Sequence, residues 1–257
     1  MYRPDPKPAL QELPSRSSKS GTGLLVLIPT RGQIAVETFT ALNENFDGLT
    51  KAILTVPRRP VVEARNSLWK MACEGQSQLP WSEAYGLLVD DDVFWLPGTV
   101  AKMIDTMRAY PQIEVLSGAY GPRLPFARIH ANRVAGRMTP PTPGVNCQLG
   151  EIVEVQECGL GFAMFRLDML SKLSADPFDT ITDSEIGDLG EDFSFCRRVR
   201  KAGLRIFCAT GAVIAHVDPR DGVAYIPGDT PHRVIGRELH RISGEHLVVK
   251  TAEERVY

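Results

Sequence analysis

Three consecutive aspartates, Asp90, Asp91 and Asp92, follow directly on the apolar run at residues 86–89. If that run is a buried strand, the carboxylates lie at its C-terminal end, where ligands bind in open α/β sheets. Adjacent carboxylates repel one another and are costly to enclose, and a divalent cation removes both penalties. Carboxylate oxygens are the ligands that hard cations prefer. The triplet therefore predicts a metal site, and the alternative is a solvated acidic turn.

Two further groups have residue types suited to the same chemistry. Glu191 and Asp192 follow Gly190 at the start of a predicted helix, where the helix dipole stabilises carboxylates. Capping accounts for one of them and leaves the other free to act as a base. His216 ends an apolar run, and imidazole joins carboxylates in sites for Mn²⁺-like ions. A His at a strand end is, however, more often a structural hydrogen-bonding residue.

Arginine and glycine supply two weaker signals. Arg65 lies in the predicted helix before the aspartates, where it suits either bidentate phosphate binding or pairing with an internal carboxylate. Gly159 and Gly161 allow close approach of a ligand to the backbone, but glycines at this spacing also mark ordinary bends. The chain has no GxxxxGK[ST] loop, and no GxGxxG opens the first helix, which argues against an NTPase or a nicotinamide enzyme.

Composition places the chain among ordinary globular proteins. Its 257 residues carry a net charge of only −2, so a polyanionic partner would have to meet a local basic patch. The five cysteines are scattered and never spaced as CxxC, which argues against a disulfide framework or a zinc site and fits a reducing compartment. No apolar stretch reaches transmembrane length, and no signal-peptide core is present. We therefore expect a cytoplasmic protein without a membrane span.

Short apolar strands alternate with helices over residues 22–120, which predicts a Rossmann-like α/β sheet. In this region the predicted strands cover residues 24–28, 51–56 and 113–117, and the predicted helices cover residues 33–42, 61–73 and a segment around 100–107. Further along, the predicted elements are a strand at 152–158, helices at 167–173 and 192–202, strands at 205–209 and 213–217, and a helix at 234–242.

The order of these motifs resembles the GT-A fold of nucleotide-sugar-dependent glycosyltransferases, and family-two-like enzymes of bacteria and phages are the most similar in character. The resemblance covers roughly residues 22–218. Its matching segments are LLVLIPTRG, ARNSL, LLVDDDVFWLPGTV, CGLGFAMFRLDML, GEDFSFCRRVRKAGLRIFCA and AHVD. It implies an α/β fold with a single GT-A domain, in which a central mixed, mostly parallel sheet is flanked by helices.

The expected domain organisation follows from this resemblance and from composition. Residues 1–21 form a flexible leader, residues 22–218 the catalytic domain, and residues 219–257 a C-terminal extension. Within the catalytic domain, we expect a nucleotide-binding half at 22–120, an Arg-rich loop at 121–150 and an acceptor half at 151–218.

The resemblance also implies roles for the metal-site and catalytic residues. Asp90 and Asp92 match the outer positions of the DxD motif and would hold Mn²⁺ or Mg²⁺ with the donor diphosphate, and His216 matches an occasional third protein ligand. The run of three aspartates leaves this register uncertain by one residue. Asp192 would be the base for the acceptor hydroxyl, with Glu191 nearly as good a candidate.

By the same resemblance, we expect the donor to be a nucleotide sugar, namely a UDP- or GDP-sugar. Its contacts would be with the base and ribose, the diphosphate and the sugar. The residues implied for these contacts are Pro29, Thr30, Arg31, Arg65, Asn66, Asp90, Asp91, Gly159 and Gly161.

The acceptor is a hydroxyl whose identity the sequence does not fix. No Asp or Glu occurs from Val115 to Gly150, and Arg123, Arg128 and Arg133 fall in that interval. These arginines suit an anionic acceptor such as nucleic acid, for example modified phage DNA, or they are simply solvated. A metal-dependent glycosyltransferase is the predicted function. The alternatives are a nucleotidyltransferase with a similar sheet and acidic metal site, and a non-catalytic module that binds sugar or nucleic acid.

Overall fold

The secondary structure comes from a computed structural model, which describes residues 21–46, 48–123, 129, 131–133, 150–184 and 187–242. In chain order, the helices and strands are β1 (Thr22–Thr30), α1 (Val36–Glu44), β2 (Thr50–Pro57), α2 (Val61–Gly75), β3 (Glu83–Val89), β4 (Val93–Trp95), α3 (Thr99–Ala109), β5 (Val115–Ala119), β6 (Ala131–Arg133), β7 (Ile152–Cys158), β8 (Phe162–Arg166), β9 (Thr182–Asp183), β10 (Gly187–Asp188), α4 (Glu191–Lys201), β11 (Ile206–Asp218), β12 (Val223–Tyr225), β13 (His232–Ile235) and β14 (Glu238–Arg241).

A mixed sheet forms the centre of the fold, with its strands in the order β2-β1-β3-β8-β5-β11 and then β12-β13-β14. β1 pairs in parallel with β2 and β3, and β5 pairs in parallel with β11. β8 lies antiparallel between β3 and β5, so five of the six central strands run in one direction. The expected mixed α/β, Rossmann-like sheet flanked by helices is confirmed.

Both faces of this sheet are covered, which explains why β1 is a continuous apolar run rather than an alternating one. Leu25 and Leu27 point into a core with α2 and α4, whereas Leu24, Val26 and Ile28 point into a second core with α1, α3 and β4. Burial on both faces fixes the register of β1 and therefore the position of the loop that follows it.

Three predicted elements differ from the structure. The segment predicted as a helix at 234–242 is instead a hairpin of β13 and β14, and that prediction was wrong. Ile235 pairs with Glu238 across the turn, and Gly236 has a φ of 61°, which a two-residue hairpin turn requires. The two strands predicted at 205–209 and 213–217 are one strand, β11, with an irregularity between Ala209 and Val213.

Residues beyond the expected catalytic domain continue the same sheet. β12 pairs with β11, and β13 and β14 extend the antiparallel ribbon, so the sheet does not end at Asp218. The leader at 1–20, most of the Arg-rich loop and the last fifteen residues lie outside the described part of the chain. Within the described part, no helix is both long enough and apolar enough to span a membrane.

Candidate active site

A cavity of about 810 Å³ opens where β1 and β3 end and α4 begins. Most of the residues predicted to carry chemistry line it, although they come from separate regions of the chain. The predicted residues among its lining are Pro29, Thr30, Arg31, Arg65, Asp90, Asp91, Asp92, Arg123, Glu191, Asp192 and His216.

Backbone contacts hold the aspartate turn in place. The Asp90 amide donates to the Gly161 carbonyl at 2.8 Å, and the Ala35 amide donates to the Asp91 carbonyl at 2.8 Å. The Val217 amide donates to the Asp92 carbonyl at 2.7 Å, beside the pairing of β4 with β11. This pairing brings Asp92 next to His216, although 124 residues separate them in the sequence.

The His216 imidazole faces Asp92 through its unprotonated nitrogen. Its Nδ1 lies 3.1 Å from the Gly121 carbonyl oxygen, which can only accept, so Nδ1 carries the proton. Its Nε2 lies 3.4 Å from Asp92 Oδ1. Burial, and then the charge of Arg123, lower the pKa of His216 and so favour the neutral ring. His216 Nε2 and Asp92 Oδ1 therefore face each other as two atoms with free lone pairs.

The chemistry of this pair fits a divalent cation. Adjacent ligands at about 2.1 Å from an octahedral ion are separated by about 3 Å, close to the spacing of these two atoms. Arg123 forms an ion pair with Asp92 Oδ2, so a guanidinium already serves that carboxylate. Within the described residues, no group of three or more His, Cys, Asp or Glu side chains is arranged to hold a metal. The residues thus supply two candidate ligands, Asp92 and His216.

Arg65 lies at the floor of the cavity with 2% of its side chain exposed. Its Nη2 donates to Asp90 Oδ1 at 2.8 Å, and its Nη1 donates to Glu191 Oε1 at 3.3 Å and to Asp192 Oδ1. Burial alone would lower the pKa of Arg65, but the three carboxylates outweigh burial and raise it. Arg65 is therefore permanently charged and joins three acidic side chains from two parts of the fold.

The two carboxylates at the start of α4 have different surroundings. Asp192 is held at both oxygens, since Oδ1 accepts from Arg65 and Oδ2 accepts from the Leu160 amide at 3.1 Å. Among the described residues, the Glu191 carboxylate accepts from Arg65 at 3.3 Å and from its own backbone amide. Burial, and then the charge of Asp192, raise the pKa of Glu191. A raised pKa makes a carboxylate a stronger base, and Glu191 is held by one other residue whereas Asp192 is held by two.

Gly159 and Gly161 lie behind the cavity, outside the set of described residues that line it. A Cβ atom on Gly161 would lie 2.7 Å from Asp90 Oδ2, and one on Gly159 would overlap the Tyr120 hydroxyl. The Gly161 amide donates to that hydroxyl at 3.1 Å, and burial raises the pKa of Tyr120 far above its ordinary value. These glycines allow Tyr120 and the Asp90 carboxylate to pack closely against the backbone.

The remaining predicted residues are not brought to the cavity in the described part of the structure. Asn66 accepts from the Phe178 amide at 3.0 Å and donates to Asp179 Oδ1 at 2.7 Å, so it anchors the loop before β9. Arg128 lies outside the described residues, and of Arg133 only the backbone, in β6, is described.

Sequence reasoning missed several lining residues. They share positions just after β1, β2 and β11, the strand ends that meet at this edge of the sheet, so the ends of those predicted strands were a usable signal. These residues are Gln33, Ile34, Ala35, Val36, Glu37, Arg59, Val61, Ala64, Pro219 and Gly222.

The comparisons with known proteins bear on the fold. The chain matches no protein-family model and no curated protein. Among solved structures, A197 from STIV superposes with a TM-score of 0.59 at 18% identity, over 88% of this chain and 100% of that chain. This similarity shows a shared fold.

Two other solved structures are more distant. A mutant of Drosophila β-1,4-galactosyltransferase 7, in complex with manganese, UDP-Gal and xylobiose, gives a TM-score of 0.40 at 14% identity, over 77% of this chain and 71% of that chain. An apo UDP-glucose pyrophosphorylase gives a TM-score of 0.34 at 8% identity, over 81% of this chain and 66% of that chain.

Proposed function

We propose that this chain is a metal-dependent glycosyltransferase that moves a sugar from a nucleotide-sugar donor to a hydroxyl acceptor. One observation carries the proposal: carboxylates from two separate segments, Asp90–Asp92 and Glu191–Asp192, converge with His216 on a single cavity at the carboxyl ends of the strands. Transfer of this kind needs a cation on the departing diphosphate and a base for the attacking hydroxyl. The cavity has candidate groups for both.

Asp92 and His216 are the candidate cation ligands, because their facing atoms lie 3.4 Å apart and burial favours the neutral form of His216. A bound Mn²⁺ or Mg²⁺ would supply the positive charge that stabilises a departing nucleoside diphosphate. Asp90 contributes a second carboxylate on the same side, although Arg65 already engages one of its oxygens.

The donor nucleotide is assigned to the wall formed by the end of β1. Thr30 Oγ1 donates to the Gln33 carbonyl at 2.8 Å, and Asp91 Oδ2 accepts from the Arg31 amide at 3.1 Å, so this turn is held rigidly against the aspartates. Pro29 completes the wall. A cavity of about 810 Å³ lies within the range of typical small-molecule sites, roughly 300–1,000 Å³.

The base is assigned to Glu191 rather than to Asp192, although the resemblance to glycosyltransferases favours Asp192. Both Asp192 oxygens accept hydrogen bonds, from Arg65 and from the Leu160 amide. Glu191 has the raised pKa and the weaker tether. Asp192 then serves to hold the start of α4 against Arg65 and the Leu160 backbone.

A nucleotide-sugar panel tests the proposal. We expect the protein with Mn²⁺ to release nucleoside diphosphate from one UDP- or GDP-sugar, and Asp92→Asn and His216→Asn to abolish that release. Asp168→Asn is the matched control, since Asp168 is 65% exposed and pairs with Lys172 away from the cavity. Release of pyrophosphate in place of nucleoside diphosphate would indicate a nucleotidyltransferase. Donor binding without turnover, with acceptor supplied, would indicate a binding module.

The anionic acceptor and the cytoplasmic location stay predictions. Of the three arginines expected to bind an anionic acceptor, Arg123 pairs with Asp92, and the side chains of Arg128 and Arg133 lie outside what the structure describes. Neutralising Arg128 and Arg133 together tests the acceptor: an unchanged acceptor affinity and an unchanged salt dependence would contradict it.

A further inference from the structure

Arg65 has contacts that a donor-binding arginine would not need. Its guanidinium is almost fully buried and bonds to Asp90 on one side and to Glu191 and Asp192 on the other. Its Nε is also buried and has no hydrogen-bond partner among the described residues. Every hydrogen bond that the structure gives this side chain is therefore directed at a carboxylate of the chain itself.

Packing fixes the Arg65 end of this arrangement. Arg65 Cζ lies 5.9 Å from the Phe178 ring centroid, and Phe178 stacks on Phe195 at 4.7 Å with an interplanar angle of 10°. Phe195 lies one turn along α4 from Glu191, and Trp69, one turn along α2 from Arg65, contacts both Phe rings. The aromatic cluster thus sets the distance between α2 and α4 independently of the charges.

The carboxylates need such a partner. Asp90, Glu191 and Asp192 would repel one another across the cavity floor, and a buried cation offsets that repulsion. A guanidinium presents donors in two directions at once within one plane. A lysine ammonium on a flexible stem cannot serve both sides in a fixed geometry.

We propose that Arg65 is a positioning residue that holds Asp90, on the donor side, at a fixed separation from the Glu191–Asp192 pair on the acceptor side. The inference rests on the proposed glycosyl transfer and adds to it a link between the two half-sites. Arg65 itself touches neither donor nor acceptor. It acts by keeping the leaving-group side and the base side in register during transfer.

The first test needs no activity. In a double-mutant cycle of Arg65→Lys with Asp192→Asn, and a second with Asp90→Asn, the urea unfolding midpoints should be strongly non-additive, because both carboxylates share one guanidinium. Additive midpoints in both cycles would overturn the proposal. Arg166→Lys is the matched control, since Arg166 bonds to backbone carbonyls of Met107 and Ile113 away from the cavity, and it should be additive with either Asn variant.

The second test separates positioning from donor binding. Arg65→Lys should lower kcat for transfer by roughly 100-fold, the loss expected from a misplacement of about 1 Å, while the donor KM stays within about threefold. A raised donor KM with wild-type kcat would overturn the proposal in favour of a donor contact. Wild-type values for both would overturn it outright. If no nucleotide sugar is turned over by the wild-type protein, the proposed function fails and the cycles still decide the role of Arg65.

A third variant covers the case in which Arg65→Lys does not fold. The double variant Arg65→Gln with Asp192→Asn removes one charge of each sign and should therefore fold. It should still lack transfer, because Asp90 and Glu191 lose their shared partner. Transfer at the rate of Asp192→Asn alone would overturn the proposal.

Discussion

Replacing Arg123 with Gln should tighten the binding of Mn²⁺ to the free protein. Arg123 forms an ion pair with Asp92, the carboxylate that also faces His216. A cation that binds there has to compete with this guanidinium. Removal of the guanidinium therefore removes a competitor and a like charge at the same time.

The magnitude follows from the exposure of the pair. The Arg123 side chain is 37% exposed and that of Asp92 is 16% exposed, so solvent screens the interaction. Partly exposed ion pairs contribute about 1 kcal/mol at most. Since 1.4 kcal/mol corresponds to a tenfold change in affinity, we expect Mn²⁺ to bind up to about fivefold more tightly to Arg123→Gln.

Mn²⁺ binding to the free protein is measured by calorimetry or by the loss of the free-ion electron paramagnetic resonance signal. Arg31→Gln is the matched control, because Arg31 also lines the cavity but its exposed side chain makes no ion pair with Asp92 in the described contacts. If Arg123→Gln binds Mn²⁺ no more tightly than the wild type, Arg123 does not compete with the cation. The same conclusion would follow if Arg31→Gln tightened Mn²⁺ binding as much as Arg123→Gln.

Three further predictions concern single side chains. Glu191→Gln should lower the rate of transfer at least 100-fold. Because burial and Asp192 raise the pKa of Glu191, kcat/KM of the wild-type protein should start to fall at a higher pH than an ordinary glutamate would give. A kcat/KM that does not fall on the acid side would contradict the role of Glu191 as the base. Gly161→Ala would place a Cβ 2.7 Å from an Asp90 oxygen and 3.0 Å from the buried Tyr120 ring, so it should lower both kcat, by about tenfold, and the melting temperature; unaltered values of both would show that these side chains can move without cost. Arg108 lowers the pKa of Glu83 to about 2, so this carboxylate stabilises the fold above its unfolded pKa of about 4.3, and the stabilisation is lost as the pH falls toward 2. Since the pair is partly exposed, Glu83→Gln should lower the free energy of unfolding by about 1 kcal/mol at pH 7 and by almost nothing at pH 2, as measured by urea titration. An equal loss of stability at the two pH values would contradict a stabilising ion pair between Glu83 and Arg108.

The central sheet was predictable because its strands are buried on both faces. Such strands read as short continuous apolar runs, and β1 and β3 are each followed by polar residues that mark the sheet edge. The hairpin of β13 and β14 was not predicted, because the residue pattern at 234–242 also suits a helix and the turn depends on one glycine with positive φ. The local sequence does not show whether Gly236 is a turn residue or a glycine tolerated inside a helix.

The site was predictable in its residue types but not in its pairings. The sequence left two roles open for Arg65, phosphate binding and an internal ion pair, and the contacts are of the second kind. That outcome depends on Glu191, which lies 126 residues further along the chain. No local pattern encodes such a distance. The pairing of β4 with β11, which brings Asp92 to His216, is non-local for the same reason.

The charges that line the cavity give an independent reason to expect a cation with the donor. Of the described residues that line it, six are carboxylates and four are arginines, so the ionised cavity carries a net charge of −2. A nucleoside diphosphate sugar adds about two further negative charges, and two like-charged groups in a partly enclosed site repel strongly. The charge of Arg65 is already counted in this sum, and both of its terminal nitrogens bond to carboxylates of the chain. A divalent cation is the smallest addition that would offset the donor charge, and we expect it to bind between the donor and Asp92. Donor and cation affinities are then reciprocally linked, each raising the other by the same factor.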